Sequence, residues 1–218
     1  MTTWTTLTRR FTTVVLVTLL AAVASACGSS DASSSAAPTP LASIKQYHQI
    51  PQEPLGPATQ HIAQATEGGT WSYASPAKGK LTLLYFGYTS CPDICPTTMA
   101  DLAVALRTLP HAIADKIWVQ FVSTDPHRDT PARLRAWIHH YSPTFHAGRA
   151  PIEQVIAAAR TYGIGISKPK VTEHDYQVTH GAEVIALDRH GAMVGYFSAL
   201  TGAKVYAAAL PTLVKDYA

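Results

Sequence analysis

An α/β sandwich around a central mixed sheet is the fold class the sequence predicts, and three observations predict it. Strand-like and helix-like stretches alternate from Lys80 to about residue 162, a hairpin pattern follows, and a helix closes the chain. Residues 80–88, KLTLLYFGY, are a compact apolar and aromatic run, the pattern of a buried strand. After the loop TSCPDICP, Met99, Leu102, Leu106 and Leu109 recur at helical spacing, with Thr97 or Thr98 as the expected cap. In residues 116–123, KIWVQFVS, Ile117, Val119 and Phe121 alternate as in a second strand. Thr130-Pro131 should start the next helix, with threonine as cap and proline in the first turn. Leu134, Trp137, Ile138 and Tyr141 form its apolar positions. A further helix is expected at 151–162. Residues 183–188, EVIALD, turn through Arg189-His190-Gly191-Ala192 into AMVGYFS as a hairpin, and a last helix covers about 203–215.

The chain has 218 residues, the size of one domain with a processed N-terminus, and 47% of them are hydrophobic, enough for a core. Its formal net charge is +3. Without Arg9 and Arg10 in the leader, fifteen basic residues face fourteen acidic ones. So even a balance, with no basic stripe, excludes a nucleic-acid partner. No internal repeat is present, and the default assembly is a monomer.

Residues 1–10 carry Arg9 and Arg10 and no acid; residues 11–26, FTTVVLVTLLAAVASA, are apolar and end in small side chains. That order is the order of an export signal, so 1–26 is read as a signal peptide. An uncleaved membrane anchor is the competing reading, for which an apolar run of about 16 residues is short. Ala24-Ser25-Ala26-Cys27 resembles a bacterial lipoprotein box, in which the cysteine is lipidated after cleavage. The small, polar and proline-containing stretch that follows cannot bury a core. Residues 27–42 are therefore expected to be a lipidated Cys27 and flexible tether, and 43–218 one domain held at the extracytoplasmic face of a membrane.

Cys91 and Cys95 stand four positions apart in Cys-Pro-Asp-Ile-Cys-Pro, between a strand end and a helix start. Ligands of open α/β sheets bind outside the carboxyl ends of strands. A helix N-terminus stabilises thiolate over thiol. Three readings compete. Two thiolates hold a soft metal; the same thiolates form a redox dithiol; or the pair is a structural disulfide in an oxidising compartment. So short a loop gains little from a bridge, which disfavours the last. The spacing has one residue more than the Cys-x-x-Cys of thioredoxin-type enzymes.

Residues 87–97, Gly-Tyr-Thr-Ser-Cys-Pro-Asp-Ile-Cys-Pro-Thr, resemble the signature of the SCO/SenC family. These are copper chaperones that help assemble the copper centre of cytochrome c oxidase. The resemblance continues in Asp125-Pro126-His127-Arg128-Asp129-Thr130-Pro131 and again in Tyr176-Gln177-Val178-Thr179-His180-Gly181, in the family's order, over roughly 80–195. It implies a thioredoxin-like fold. It implies Cys91, Cys95 and His180 as ligands of copper, Cu(I) or Cu(II), and Asp125 near the metal as an outer partner or weak extra ligand. Asp125 and Asp129 flank Arg128, so a loop whose carboxylates pair with that arginine and cap the next helix is the equal alternative to the role of Asp125 near the metal. The implied partner is cytochrome c oxidase subunit II, with its dinuclear copper centre; the copper donor stays unknown. The chain departs from the family at His127, where an acid is usual, at Gly181, where serine is common, and in Phe145-His146-Ala147-Gly148-Arg149-Ala150-Pro151.

Delivery of copper needs no turnover chemistry. A thiol–disulfide oxidoreductase acting on the oxidase cysteines would use the same pair, Cys91 and Cys95, without strict need of His180. An envelope copper sensor would use all three residues. Zinc also suits two cysteines, a histidine and a water. The remaining histidines read as surface: His139 and His140 on a polar helix face, His146, His174 and His190 in loops or turns, His48 and His61 in the N-terminal extension.

Overall fold

The computed structural model describes residues 39–53, 61–74, 77, 79–169 and 176–218. The leader, Cys27 and His174 lie outside them. A 3-10 turn, Leu41–Ser43, leads into strands β1 (Tyr47–Glu53), β2 (His61–Gln64), β3 (Thr70–Ser72) and β4 (Leu81–Gly87). Helix α1 (Ile94–Thr108), a short α2 (His111–Ala114), β5 (Ile117–Ser123), α3 (Pro131–Tyr141), β6 (His146–Arg149) and α4 (Ile152–Thr161) follow. The hairpin β7 (Val184–Leu187) and β8 (Met193–Phe197) and helix α5 (Ala203–Tyr217) complete the chain. Among these described residues no helix is long and apolar enough to cross a membrane.

The strands form one mixed sheet in the order β1-β8-β7-β4-β5-β6-β2-β3. β4, β5 and β6 are parallel, and β7 runs antiparallel to β4. Every residue of β4 is buried, because alternate side chains enter two different cores. Leu81, Leu83 and Tyr85 face Met99 and Leu102 of α1, Leu134 of α3 and Leu210 of α5. Leu84 and Phe86 face Val155 and Ala159 of α4 and the aromatic rings of Trp71 and Tyr73. Helices on both faces of a mixed sheet, with the hairpin and closing helix at the end, make the expected thioredoxin-like sandwich. Leu41 and Ile44 are buried as well, so the core takes up chain from Leu41 onward.

Local signals hold in several places. Thr130 caps α3, its hydroxyl accepting from Arg133 N at 3.2 Å, with Pro131 in the first turn. Gly191 takes φ 86° in the β7–β8 turn, where Asp188 accepts from His190 N and Ala192 N. One boundary differs from expectation. Helix α1 starts at Ile94 behind Asp93, not behind Thr97 or Thr98. Pro96 has no N–H to lose in a first turn, so the helix runs through it. Both threonine hydroxyls instead donate back along the helix, Thr97 to Asp93 O and Thr98 to Ile94 O. Cys95 is consequently a helical residue. His146 also differs: it opens β6, stacked 3.4 Å from Trp118 and paired with Glu67.

Candidate metal centre

The parallel strand β4 ends at Gly87, and the next eight residues carry both cysteines to the start of α1. Alternation puts Tyr85 and Gly87 on the face that α1 covers. A side chain at Gly87 would place its Cβ 2.9 Å from Cys95 Sγ, 2.8 Å from Tyr85 Cε1 and 2.9 Å from Phe121 Cε2. Glycine is required there so that the first turn of α1 can lay Cys95 against the strand. Cys95 is fully buried; Cys91, at the loop's outer end, is half-buried.

His180 arrives from the opposite direction, on the segment leading into β7. A single bridge to Ile166 holds it, flanked by Ser167 N donating to Thr179 O at 2.9 Å and Gly181 N to Gly165 O at 2.8 Å. His180 Nδ1 donates to Gly181 O at 2.8 Å, which leaves the free lone pair of the neutral ring on Nε2. That nitrogen lies 3.4 Å from Cys95 Sγ. The two sulfurs and the imidazole nitrogen all fall within 4.8 Å of one another, and among the described residues no other His, Cys, Asp or Glu side chains form such a group. The rings of Tyr85 and Tyr88 stand edge-on to the imidazole at 6.2 and 5.7 Å. Metal-ligating histidines are typically fixed through their second nitrogen in this way.

The cysteines divide one proton unequally. Cys91 falls from the ordinary 9.0 to about 5, chiefly because it accepts a hydrogen bond from Cys95, helped by the N–H groups of Asp93 and Cys95 against the cost of partial burial. Cys95 is pushed up, first by donating in that same bond and then by burial. The pair is thus a single-proton unit with the charge at the mouth and the proton inside. Tyr85 Oη approaches Cys95 Sγ at 3.7 Å from beneath.

A cleft of about 300 Å³ opens over Cys91 and His180, walled by Tyr88, Pro92, Ile94 and Val178. Among the described residues, larger clefts lie elsewhere, one of about 550 Å³ beside Pro126 and Arg149 and one of about 460 Å³ beside Lys80 and Trp118. Neither contains a cysteine or the three-ligand group, so donor chemistry and not size marks the site.

Asp125 is completely buried and stands outside the three-residue group. Its carboxylate accepts from Tyr176 Oη at 2.7 Å and is paired with Arg128 Nε. Asp129, also buried, accepts from Thr89 N, from Thr89 Oγ1 at 2.5 Å and from Ser123 Oγ at 2.7 Å. Asp125 thus pairs with the arginine, whereas Asp129 ties the cysteine loop to the end of β5. The family departures fall on neighbouring ground. A Cβ on Gly181 would lie 2.7 Å from Glu183 Oε2, so glycine leaves room for that carboxylate. His127 is exposed, and the divergent stretch at 145–151 still forms β6 against β5 and β2.

In the sequence the apolar run 80–88 marks Tyr85 only as core and gives Gly87 no special role; their period-two spacing on β4, ending next to the cysteine loop, is the available signal.

Comparison with known proteins agrees with this geometry. The SCO1/SenC family pattern matches residues 63–215. A mitochondrial SCO2 homologue of Mus musculus is 34% identical over 123 residues, 55% of this chain and 48% of that protein. The chain spans about half the length of the curated relatives it matches. Among solved structures, Bradyrhizobium japonicum ScoI with copper bound is 30% identical, with a TM-score of 0.61 over 72% of this chain and 96% of that one. Yeast Sco1 with copper bound is 26% identical, with a TM-score of 0.64 over 72% of this chain and 87% of that one. With most of the folded part matched and the sulfur–sulfur–imidazole group assembled, this chain belongs to the SCO1/SenC family.

Proposed function

We propose that the chain binds one copper ion through Cys91, Cys95 and His180 and delivers it to the dinuclear copper centre of cytochrome c oxidase subunit II. The observation that carries this is the convergence of two sulfurs and one imidazole nitrogen within 4.8 Å, from positions 85 residues apart. Thiolates select soft Cu(I) over hard cations, and the solved relatives just described hold copper. Zinc would take the same three donors with a water as the fourth, so the choice of copper rests on the soft thiolates and on those relatives. Copper here is cargo. Cys91 is the half-buried thiolate at the cleft mouth and Cys95 is fully buried, so Cys91 is the ligand an incoming thiol of the receiving protein reaches first.

Titration of the full reduced chain with Cu(I) against a competing chelator should give one copper per chain, and His180→Ala should weaken it by about 100-fold or more. Unchanged affinity in that variant would remove His180, and with it this reading.

The unequal cysteines favour one alternative. An ionised accessible Cys91 beside a protonated buried Cys95 suits a thiol–disulfide oxidoreductase. Cys91 would attack a disulfide of the oxidase subunit, and Cys95 would displace the product as a thiolate, leaving target reduced and pair oxidised. If His180→Ala retains disulfide exchange but loses oxidase assembly in cells, delivery is the function; retained assembly favours the oxidoreductase.

The reading includes a lipid anchor on Cys27 at the extracytoplasmic face, supported by the leader and tether composition. Cys27→Ser should move the chain from the membrane fraction to the soluble one. A variant that stays with the membrane would overturn the anchor.

A further inference from the structure

His180 is held from two sides, and the second side has chemistry of its own. On the C-terminal side the Ile166 bridge and the Gly165 and Ser167 bonds fix the backbone at 179–181. Four residues upstream, Tyr176 is held by side chains from a different part of the fold. Its hydroxyl donates to Asp125 Oδ1 at 2.7 Å. Its carbonyl accepts from Arg128 Nη2 at 2.9 Å. The guanidinium carbon of Arg128 lies 3.7 Å over its ring, and 5.7 Å from the ring of Tyr88, which itself stands edge-on to His180. Asp125 is anchored in turn: its N–H donates to Ser123 Oγ at 3.1 Å, at the end of β5. Residues 177–179, which line the cleft with His180, are therefore strung between two fixed points, the end of β5 and the Ile166 bridge.

We propose that Asp125, Arg128 and Tyr176 form a latch that sets the position of the His180 imidazole over the two sulfurs. All three are positioning residues; none belongs to the group that meets the metal. The inference rests on the metal-binding reading above. The arginine is specific to the task because its planar fork reaches a carboxylate with one nitrogen and a carbonyl with another while its face covers a ring. A lysine at this place keeps the charge that offsets buried Asp125, but, as a compact ammonium on a flexible stem, it has neither the fork nor the planar face. Arg128→Lys thus loosens the latch without leaving the carboxylate unpaired. Tyr176→Phe keeps the ring and removes only the hydroxyl bond.

The test is Cu(I) affinity of the full chain, measured by chelator competition, for Arg128→Lys and Tyr176→Phe, each made alone and together with His180→Ala. The latch predicts a loss of about 10- to 100-fold for Arg128→Lys, less for Tyr176→Phe, and no further loss from either once His180 is alanine. Equal losses with and without His180 would mean a general effect on the fold and would overturn the latch. Full affinity in both single variants would show that the Ile166 bridge alone places the ring, and would overturn it as well. If His180→Ala itself leaves affinity intact, the metal-site reading fails first, and that failure is separately visible.

Discussion

Iodoacetamide offered to the reduced, metal-free chain is expected to label Cys91 with a midpoint near pH 5 and to leave Cys95 unmodified. Cys91 sits at about 5 against an ordinary 9.0, and Cys95 is both buried and raised. The size of the effect depends on where it is measured. At pH 5 about half of Cys91 is thiolate, against roughly one part in ten thousand for an ordinary thiol. A thiolate of lower pKa is also a weaker nucleophile, by about 40- to 100-fold over four units. The net expectation is a rate about 50- to 100-fold above an ordinary thiol at pH 5, with the advantage nearly gone at pH 7. Rates followed from about pH 4 to 9, with the labelled residue identified by mass spectrometry, check this. A single midpoint between 8 and 9, or equal labelling of both cysteines, would mean that the proton is not divided as described.

Replacing Asp129 by alanine should cost about 3 kcal/mol or more of stability, read from urea unfolding. Three buried donors, Thr89 N, Thr89 Oγ1 and Ser123 Oγ, would lose their acceptor. Each unsatisfied donor costs about 1–3 kcal/mol, reduced where a hydroxyl can turn elsewhere. Thr89 also accepts from Arg133 Nε at 2.6 Å, and Arg133 donates to Ser90 Oγ at 3.0 Å, so the residues just before Cys91 would lose their tie to β5. The effect has a pH sign. Burial raises the Asp129 carboxyl above its ordinary 3.8, the like charge of Asp125 adds to the rise, and the bonds from Ser123 and Thr89 do not bring it back. The ionised form therefore costs stability above the folded pKa, and that cost fades as pH falls toward the unfolded value. The wild-type chain regains this stability in mild acid and the alanine variant cannot. The difference between them should be larger near about pH 4 than near pH 7. A pH-independent loss under 1 kcal/mol would remove Asp129 as the clamp of the cysteine loop.

Much of the fold was legible because the strong signals are local. β4 reads as a buried strand from its compact apolar run, and Thr130-Pro131 reads as a helix start from two adjacent residues. The weak strands were not legible. β2 and β3 are four and three residues long, and β6 carries a glycine and two basic residues. Such segments have little preference of their own and become strands only because a neighbour offers a ladder. Helix α1 starts one turn before the place Thr97 suggests, because aspartate serves at a helix start at least as well as threonine and a proline is admitted in the first turn.

The sequence by itself determined which side chains could carry the chemistry: a close cysteine pair after a buried strand, a distant histidine, and an Asp–Arg–Asp loop. Residue type and local spacing are written in the chain. Only the tertiary structure decided that the imidazole and the sulfurs meet within 4.8 Å, that Cys91 holds the charge while Cys95 holds the proton, and that Asp125 clasps Arg128 and Tyr176 outside the metal group. Those facts depend on distance and on exclusion of water between segments far apart in sequence. Neither quantity exists until the sheet has brought β4, β5 and the approach to β7 side by side.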